Sequence, residues 1–198
     1  MHSMQSMQSM HSMQSNTTQY NLIVAICKNK GIGYKGHLPW SFIKEDMQYF
    51  SKMTRNSATD NNCIIMGKNT WESLPGKMPL PKRDNLVLSS TLELNECMPD
   101  EHITKSFKTL DDLDAFCKEQ KYDTCWVIGG AMIYKQFMER NKIEKCYITY
   151  IDMDYECDVF FDFPEKEWSL VSETISDNLI STKNGLCLKF QTFIPSNS

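Results

Sequence analysis

Short apolar runs, each too brief for a buried helix and each stopped by glycine or polar residues, set the strongest limit on how this chain folds. Leu22-Ile23-Val24-Ala25-Ile26-Cys27, Cys63-Ile64-Ile65-Met66, Leu86-Val87-Leu88 and Cys125-Trp126-Val127-Ile128 lack the alternation of a strand with one wet face. They suit strands covered on both sides, as in a parallel sheet. Between them lie segments with helical spacing. Ile43, Met47, Phe50 and Met53 recur at intervals of four, three and three, which predicts a helix from a Ser41 N-cap to about Met53. Thr109-Leu110-Asp111-Asp112-Leu113 opens a second helix with capping acids, running to about Gln120. His102-Ile103-Thr104 and Cys146 to Ile151 read as further strands, and Asp158 to Phe161 as a short hydrophobic piece after an acidic loop. Trp168 to Ile175 and Leu186 to Ile194 alternate in period two across a loop ending in Asn184-Gly185, a terminal hairpin. The fold class is therefore α/β, a single domain with a central, mostly parallel eight-stranded sheet, helices on both faces and a C-terminal antiparallel hairpin.

Residues 1–18 are a repeat of Met, Ser and Gln or His, expected to be a disordered low-complexity tail ahead of a folded domain at 19–198. The repeat has no Lys or Arg, unlike the basic start of a secretory signal, and no apolar run approaches the ~20 residues of a membrane span. A net charge of -4 gives no field to attract nucleic acid or an acidic membrane surface. The eight cysteines form no CxxC pair and mostly sit inside apolar runs, as small buried residues in a reducing compartment do. The four histidines make no ligand cluster, so no metal is expected, and the chain is expected to be cytoplasmic.

Asp46 shares the inward stripe of the first helix, while Lys44 and Glu45 point elsewhere. A lone carboxylate against a core costs several kcal/mol unless it is partnered, either by a backbone amide or water or by a ligand. Other segments offer backbone to a ligand. Gly31-Ile32-Gly33-Tyr34-Lys35-Gly36 runs into His37-Leu38-Pro39-Trp40, a surface turn or a mobile ligand loop. Gly67-Lys68-Asn69-Thr70 joins a strand to a short helix start with a cation alongside, which suits a phosphate. Gly129-Gly130-Ala131-Met132-Ile133-Tyr134 is either a tight strand–helix crossing or a place where backbone meets a cofactor.

These segments, with Ile23-Val24-Ala25, Asp46 to Phe50, Met66 to Trp71, Arg83, Leu86 to Ser89, Val127 to Gly130 and Thr149, occur in the order and spacing of dihydrofolate reductase, and the chain resembles that family over about residues 20 to 194. The resemblance implies NADPH-dependent reduction of 7,8-dihydrofolate, with Asp46, Leu38, Trp40 and Thr149 as the catalytic set. Asp46 would hold the pterin 2-amino group and N3, with the Thr149 hydroxyl joined through water. Ile23, Val24, Ala25, Met47, Phe50, Leu80, Arg83, Ile128 and Tyr134 would complete the substrate site, Arg83 gripping the glutamyl carboxylate. Cofactor contacts fall to Ala25, Ile32, Gly33, Gly67, Lys68, Asn69, Thr70, Ser89, Ser90, Lys105, Ile128, Gly129, Gly130, Ala131, Met132, Ile133 and Tyr134. A cis peptide is expected at Gly129–Gly130.

The family often carries a further basic residue where this chain has Asn69 or Ser90, which leaves Lys68 and Lys105 to favour NADPH over NADH. With one carboxylate in the site, a water is the expected proton donor to N5. The chain is expected to be a monomer unless fused to thymidylate synthase. Two alternatives share the fold, a sister reductase of another pterin or a pyrimidine, and a catalytically silent folate- or nucleotide-binding protein.

Overall fold

In the computed structural model, which describes residues 18–56, 59, 61–97, 101–176 and 186–196, the apolar runs become the inner strands of one sheet. β1 (Tyr20–Cys27), β3 (Asn62–Gly67), β4 (Asp84–Leu88), β6 (Ile103–Phe107), β7 (Thr124–Gly129) and β8 (Ile143–Ile151) run parallel. At one edge β11 (Leu188–Pro195) pairs antiparallel with β8, and β10 (Trp168–Ile175) with β11. The full order is β10-β11-β8-β1-β7-β3-β4-β6-β5.

The sheet thus has nine strands, not eight. The extra one, β5 (Asn95–Cys97), pairs antiparallel with β6. Its residues carry no apolar alternation, because a short edge strand is held by backbone bonds and has little side-chain burial to advertise. The piece near Val159 pairs outside this sheet. β2 (Gly31–Gly33) and β9 (Val159–Phe160) form a separate antiparallel ribbon.

Both faces of the sheet are covered. On one, Leu22, Val24, Ile65, Leu86 and Val127 meet Leu113 of α3 (Leu110–Gln120) and Ile133 and Phe137 of α4 (Ala131–Glu139). On the other, Ile23, Ile64, Met66 and Val87 meet Tyr49, Phe50 and Met53 of α1 (Lys44–Arg55), with Trp71 of α2 (Lys68–Ser73). Neighbouring residues of one strand serve opposite faces, which is why the runs read as continuously apolar.

α3 starts where its capping signal places it, the Thr109 hydroxyl accepting the Asp112 N–H at 3.1 Å. α1 does not. Trp40 and Ile43 are both buried in a cluster with Ile151 and Leu188, and this anchoring keeps the chain extended through Ser41. The helix begins at Lys44 with no side-chain cap, and Glu45 and Asp46 in its first turn suit the positive end of the helix dipole. The residues of the low-complexity tail up to 17, and the Asn184-Gly185 turn, lie outside the described residues.

Candidate functional site

Along α1 the two residues sunk deepest are polar. Asp46 is 4% exposed and Thr54, two turns on, is fully covered. Both lie on the inward face of α1, which packs on β3, Asp46 toward Thr149 of β8 and Thr54 toward Asn62, whose Nδ2 donates to the Thr54 carbonyl at 3.3 Å.

Around Asp46 the donors are few. Thr149, 1% exposed on β8, is the side chain whose hydrogen bonding lowers the pKa of the carboxyl group, and no cation pairs with the carboxylate among the described residues. Burial pushes its pKa up to about 6, and the Thr149 bond only partly offsets the rise. Parallel pairing of β1 with β8 sets Ala25 opposite Thr149. Tyr134 reaches in from α4 and donates its hydroxyl proton to the Ile23 carbonyl at 2.9 Å. The Asp46 charge also helps to raise the Tyr134 and Tyr49 hydroxyls, after burial in both cases, so both rings lie within its field. Val24 sends its side chain to the opposite face, leaving only its backbone on the Asp46 side. Met47 and Ile128 are half-buried, and Ile128, Phe50 and Leu80 all pack against the cluster that holds Ile23.

At the Thr54 end lies Arg83, a guanidinium 3% exposed with no carboxylate beside it among the described residues. Its Nη1 donates to the Thr54 hydroxyl, which in turn donates to the Phe50 carbonyl at 2.8 Å. The Phe50 ring lies 5.9 Å from the guanidinium carbon, and Nε has no hydrogen-bond partner among the described residues. Burial, then Arg55, lowers the pKa to about 10. A buried, under-satisfied cation of this kind calls for an anion. Asn85 fixes the approach, bridging Leu80 N–H (2.9 Å), Leu80 carbonyl (3.0 Å) and Arg83 carbonyl (2.9 Å). Thr54, Tyr49 and Asn85 were not singled out from sequence. Thr54 had a signal, since eight residues on a helix return it to the Asp46 face; Asn85 had none.

Two strand–helix junctions bring bare backbone together. The Gly129–Gly130 peptide is cis, as expected. A Cβ on Gly129 (φ +118°) would stand 3.0 Å from the Tyr134 hydroxyl, one on Gly130 3.5 Å from the Thr70 hydroxyl, and one on Gly67 3.0 Å from Ile133. Gly129→Ala therefore meets both a backbone penalty and a clash that displaces Tyr134 from Ile23. We expect it to lose roughly 2–4 kcal/mol of stability, checked by urea denaturation.

Lys68 donates to the Thr91 hydroxyl at 3.2 Å, and the Ser89 hydroxyl accepts from the Thr91 and Leu92 amides. Ser90 is exposed, and Lys105 turns its ammonium over the Phe107 and Phe116 rings at 5.5 and 4.6 Å. Beside this loop is a cavity of about 410 Å³ lined by Leu92, Leu94, Lys105, Ser106 and Lys108 among others. Nothing in the sequence around Lys108 marks it as a site residue. Ile32 and Gly33 belong to the β2–β9 ribbon, Ile133 is buried, and Met132 is 74% exposed. Leu38 is 52% exposed, whereas Trp40 is buried with its ring 5.8 Å from Tyr155, so only one of the pair is packed in. These bare junctions, the nearby Lys68 and the buried acid together fit a dinucleotide beside a polar heterocycle.

Residues 19–194 match the sequence pattern of dihydrofolate reductase. The chain belongs to the dihydrofolate reductase family. It is similar to the dihydrofolate reductase of Gallus gallus, 37% identical over 184 residues that cover 87% of this chain and 94% of the other. The Aedes albopictus reductase is 32% identical over 181 residues, covering 88% and 96%. A bifunctional dihydrofolate reductase-thymidylate synthase of Plasmodium berghei is 36% identical over 198 residues, which cover 79% of this chain and 33% of that protein. Family membership makes the chain an oxidoreductase of a small-molecule substrate that works with a nicotinamide cofactor. No helix among the described residues is long and apolar enough to cross a membrane.

Proposed function

We propose that this chain reduces 7,8-dihydrofolate to 5,6,7,8-tetrahydrofolate with NADPH, as a cytoplasmic monomer or as the reductase part of a longer fused chain, and that residues 19–198 are the working unit. The observation that carries this reading is the pair of buried, oppositely charged groups along α1, Asp46 on the helix and Arg83 against its Thr54, neither with a counter-ion among the described residues. Dihydrofolate offers each what it lacks, a heterocyclic amidine-like edge for the acid and a carboxylate for the guanidinium.

When bound, the reduced nicotinamide supplies a hydride to C6. Asp46 holds the 2-amino group and N3, and Thr149 fixes the orientation of its carboxyl group. With a pKa near 6, Asp46 favours the protonated substrate complex, and a water reaching N5 completes the reduction. Trp40, packed on Tyr155, anchors the base of the loop that excludes bulk solvent. Lys68 at the Thr91 turn supports the choice of NADPH, with Asn69 and Ser90 lending no charge. The test mixes purified chain, reduced cofactor and dihydrofolate. Reduced-nicotinamide absorbance is expected to fall only when all three are present, and faster with NADPH than with NADH. An unchanged absorbance would leave a binding protein in place of an enzyme.

A further inference from the structure

We propose that Cys27 and Cys157 form a dithiol site that small-molecule disulfides oxidise to an internal disulfide, and that this bond restrains the base of the 31–40 loop. The two sulfurs, 130 residues apart in sequence, lie 3.7 Å from each other, and neither is in a disulfide. Cys27 ends β1 and is fully buried, whereas Cys157 is partly open. Neither thiol is free to drift. Cys27 donates to Asn29 Oδ1 at 2.8 Å, and Cys157 to the Tyr155 carbonyl at 3.4 Å.

Their backbones are already latched together. Lys28 N–H donates to the Met153 carbonyl at 3.1 Å, Asn29 Nδ2 to the Tyr155 carbonyl at 3.0 Å, and Phe161 N–H to the Lys30 carbonyl at 2.9 Å. Cys157 sits over Gly31, where an added Cβ would stand 2.1 Å from its sulfur. Closing the remaining gap to about 2.05 Å gives up the two thiol hydrogen bonds. By contrast, Cys63, Cys117 and Cys125 bring their sulfurs within 4.8 Å of one another but are closed off in the core.

In the reaction, the Cys157 thiolate attacks one sulfur of a disulfide RSSR and expels RS⁻. The Cys27 thiolate then attacks the Cys157 sulfur of the mixed disulfide and expels the second RS⁻. Two cysteine thiols lose two electrons to RSSR, and their two protons end on the two RSH released. Burial, then Cys27 and the acidic Asp158 and Glu156, push the Cys157 thiol up to about 11, so the step is slow at neutral pH and quickens with alkali.

The loop that carries Leu38 and Trp40 springs from this clamp, Trp40 itself packing on Tyr155 two residues before Cys157. Covalent closure there slows loop opening and so turnover. The experiment incubates the reduced full-length chain with glutathione disulfide at mildly alkaline pH and follows non-reducing peptide mass spectrometry, free-thiol titration and turnover. Expected are a Cys27–Cys157 cross-linked peptide, loss of two thiols, a fall in turnover of about threefold or more, and recovery with dithiothreitol. Cys157→Ser is expected to keep basal turnover and to be unaffected by the oxidant. Glutathione adducts alone, a cross-link through Cys63 or Cys125, no reaction of the folded chain, or a Cys27–Cys157 bond that leaves turnover unchanged would each overturn the proposal.

Discussion

Asp46→Asn is expected to lower turnover of dihydrofolate about 10²- to 10³-fold while making the ligand-free protein more stable. The two effects have one origin. An asparagine keeps the shape and can still meet Thr149, but it presents an amide where the substrate needs a proton acceptor. It also removes the cost of holding a charge 4% exposed. The folded carboxyl keeps its proton up to about 6, against 3.8 for the ordinary group. Stability of the wild-type chain should therefore fall as pH rises across that window and level off above it, since the unfolded chain gives up the proton first. Above the window the substitution should gain up to about 3 kcal/mol, read by urea denaturation at pH 5 and pH 8. The kcat/KM profile, which reports groups of the free enzyme, should bend downward near 6 in the wild type and lose that bend in the variant. A variant as active as wild type would take Asp46 out of the chemistry, and one less stable at pH 8 would mean that the acid has an internal partner worth more than its desolvation.

Arg83→Leu should separate binding from chemistry. Loss of a desolvated guanidinium–carboxylate contact is worth about 2–4 kcal/mol, so KM for dihydrofolate should rise roughly 30- to 900-fold with kcat changed far less. A reduced pterin lacking the glutamyl tail should be turned over alike by both proteins, because its complex never used the guanidinium. The fold should tolerate the change, since Arg83 is a buried cation with an unpartnered Nε that leucine would replace with apolar volume. A parallel loss on the tail-less substrate would instead mean that Arg83 acts by holding Thr54 and Phe50 in place.

Much of the architecture was legible because two-sided burial writes itself plainly into composition. Ile64 and Ile65 serve opposite faces, and both must be apolar. β5 left no such trace, being an edge strand held by backbone pairing with β6. The start of α1, at Lys44 and not after a Ser41 cap, departs from the sequence pattern for a related reason. Ser41 is a good capping residue by type, but Trp40 and Ile43, drawn into a shared cluster, outweigh the cap. In the site, Asp46 announced itself as an acid in an apolar stripe. Thr54 and Asn85 did not, because a side chain that orients another looks like any polar residue until its neighbours are known. The approach of Cys27 to Cys157 belongs to the same class, set by how β2 meets β9 and invisible to cysteine spacing.

The order of the strands bears on how the molecule is made. β1 leaves the ribosome well before both its sheet neighbours, β7 and β8, which come from beyond residue 123. Until they emerge, an uninterrupted greasy segment waits with neither side hydrogen-bonded to its native partners. The surroundings of Asp46, which draw on Thr149 of β8, can thus arise only late in synthesis, and a nascent chain that stops short of β7 is exposed to aggregation.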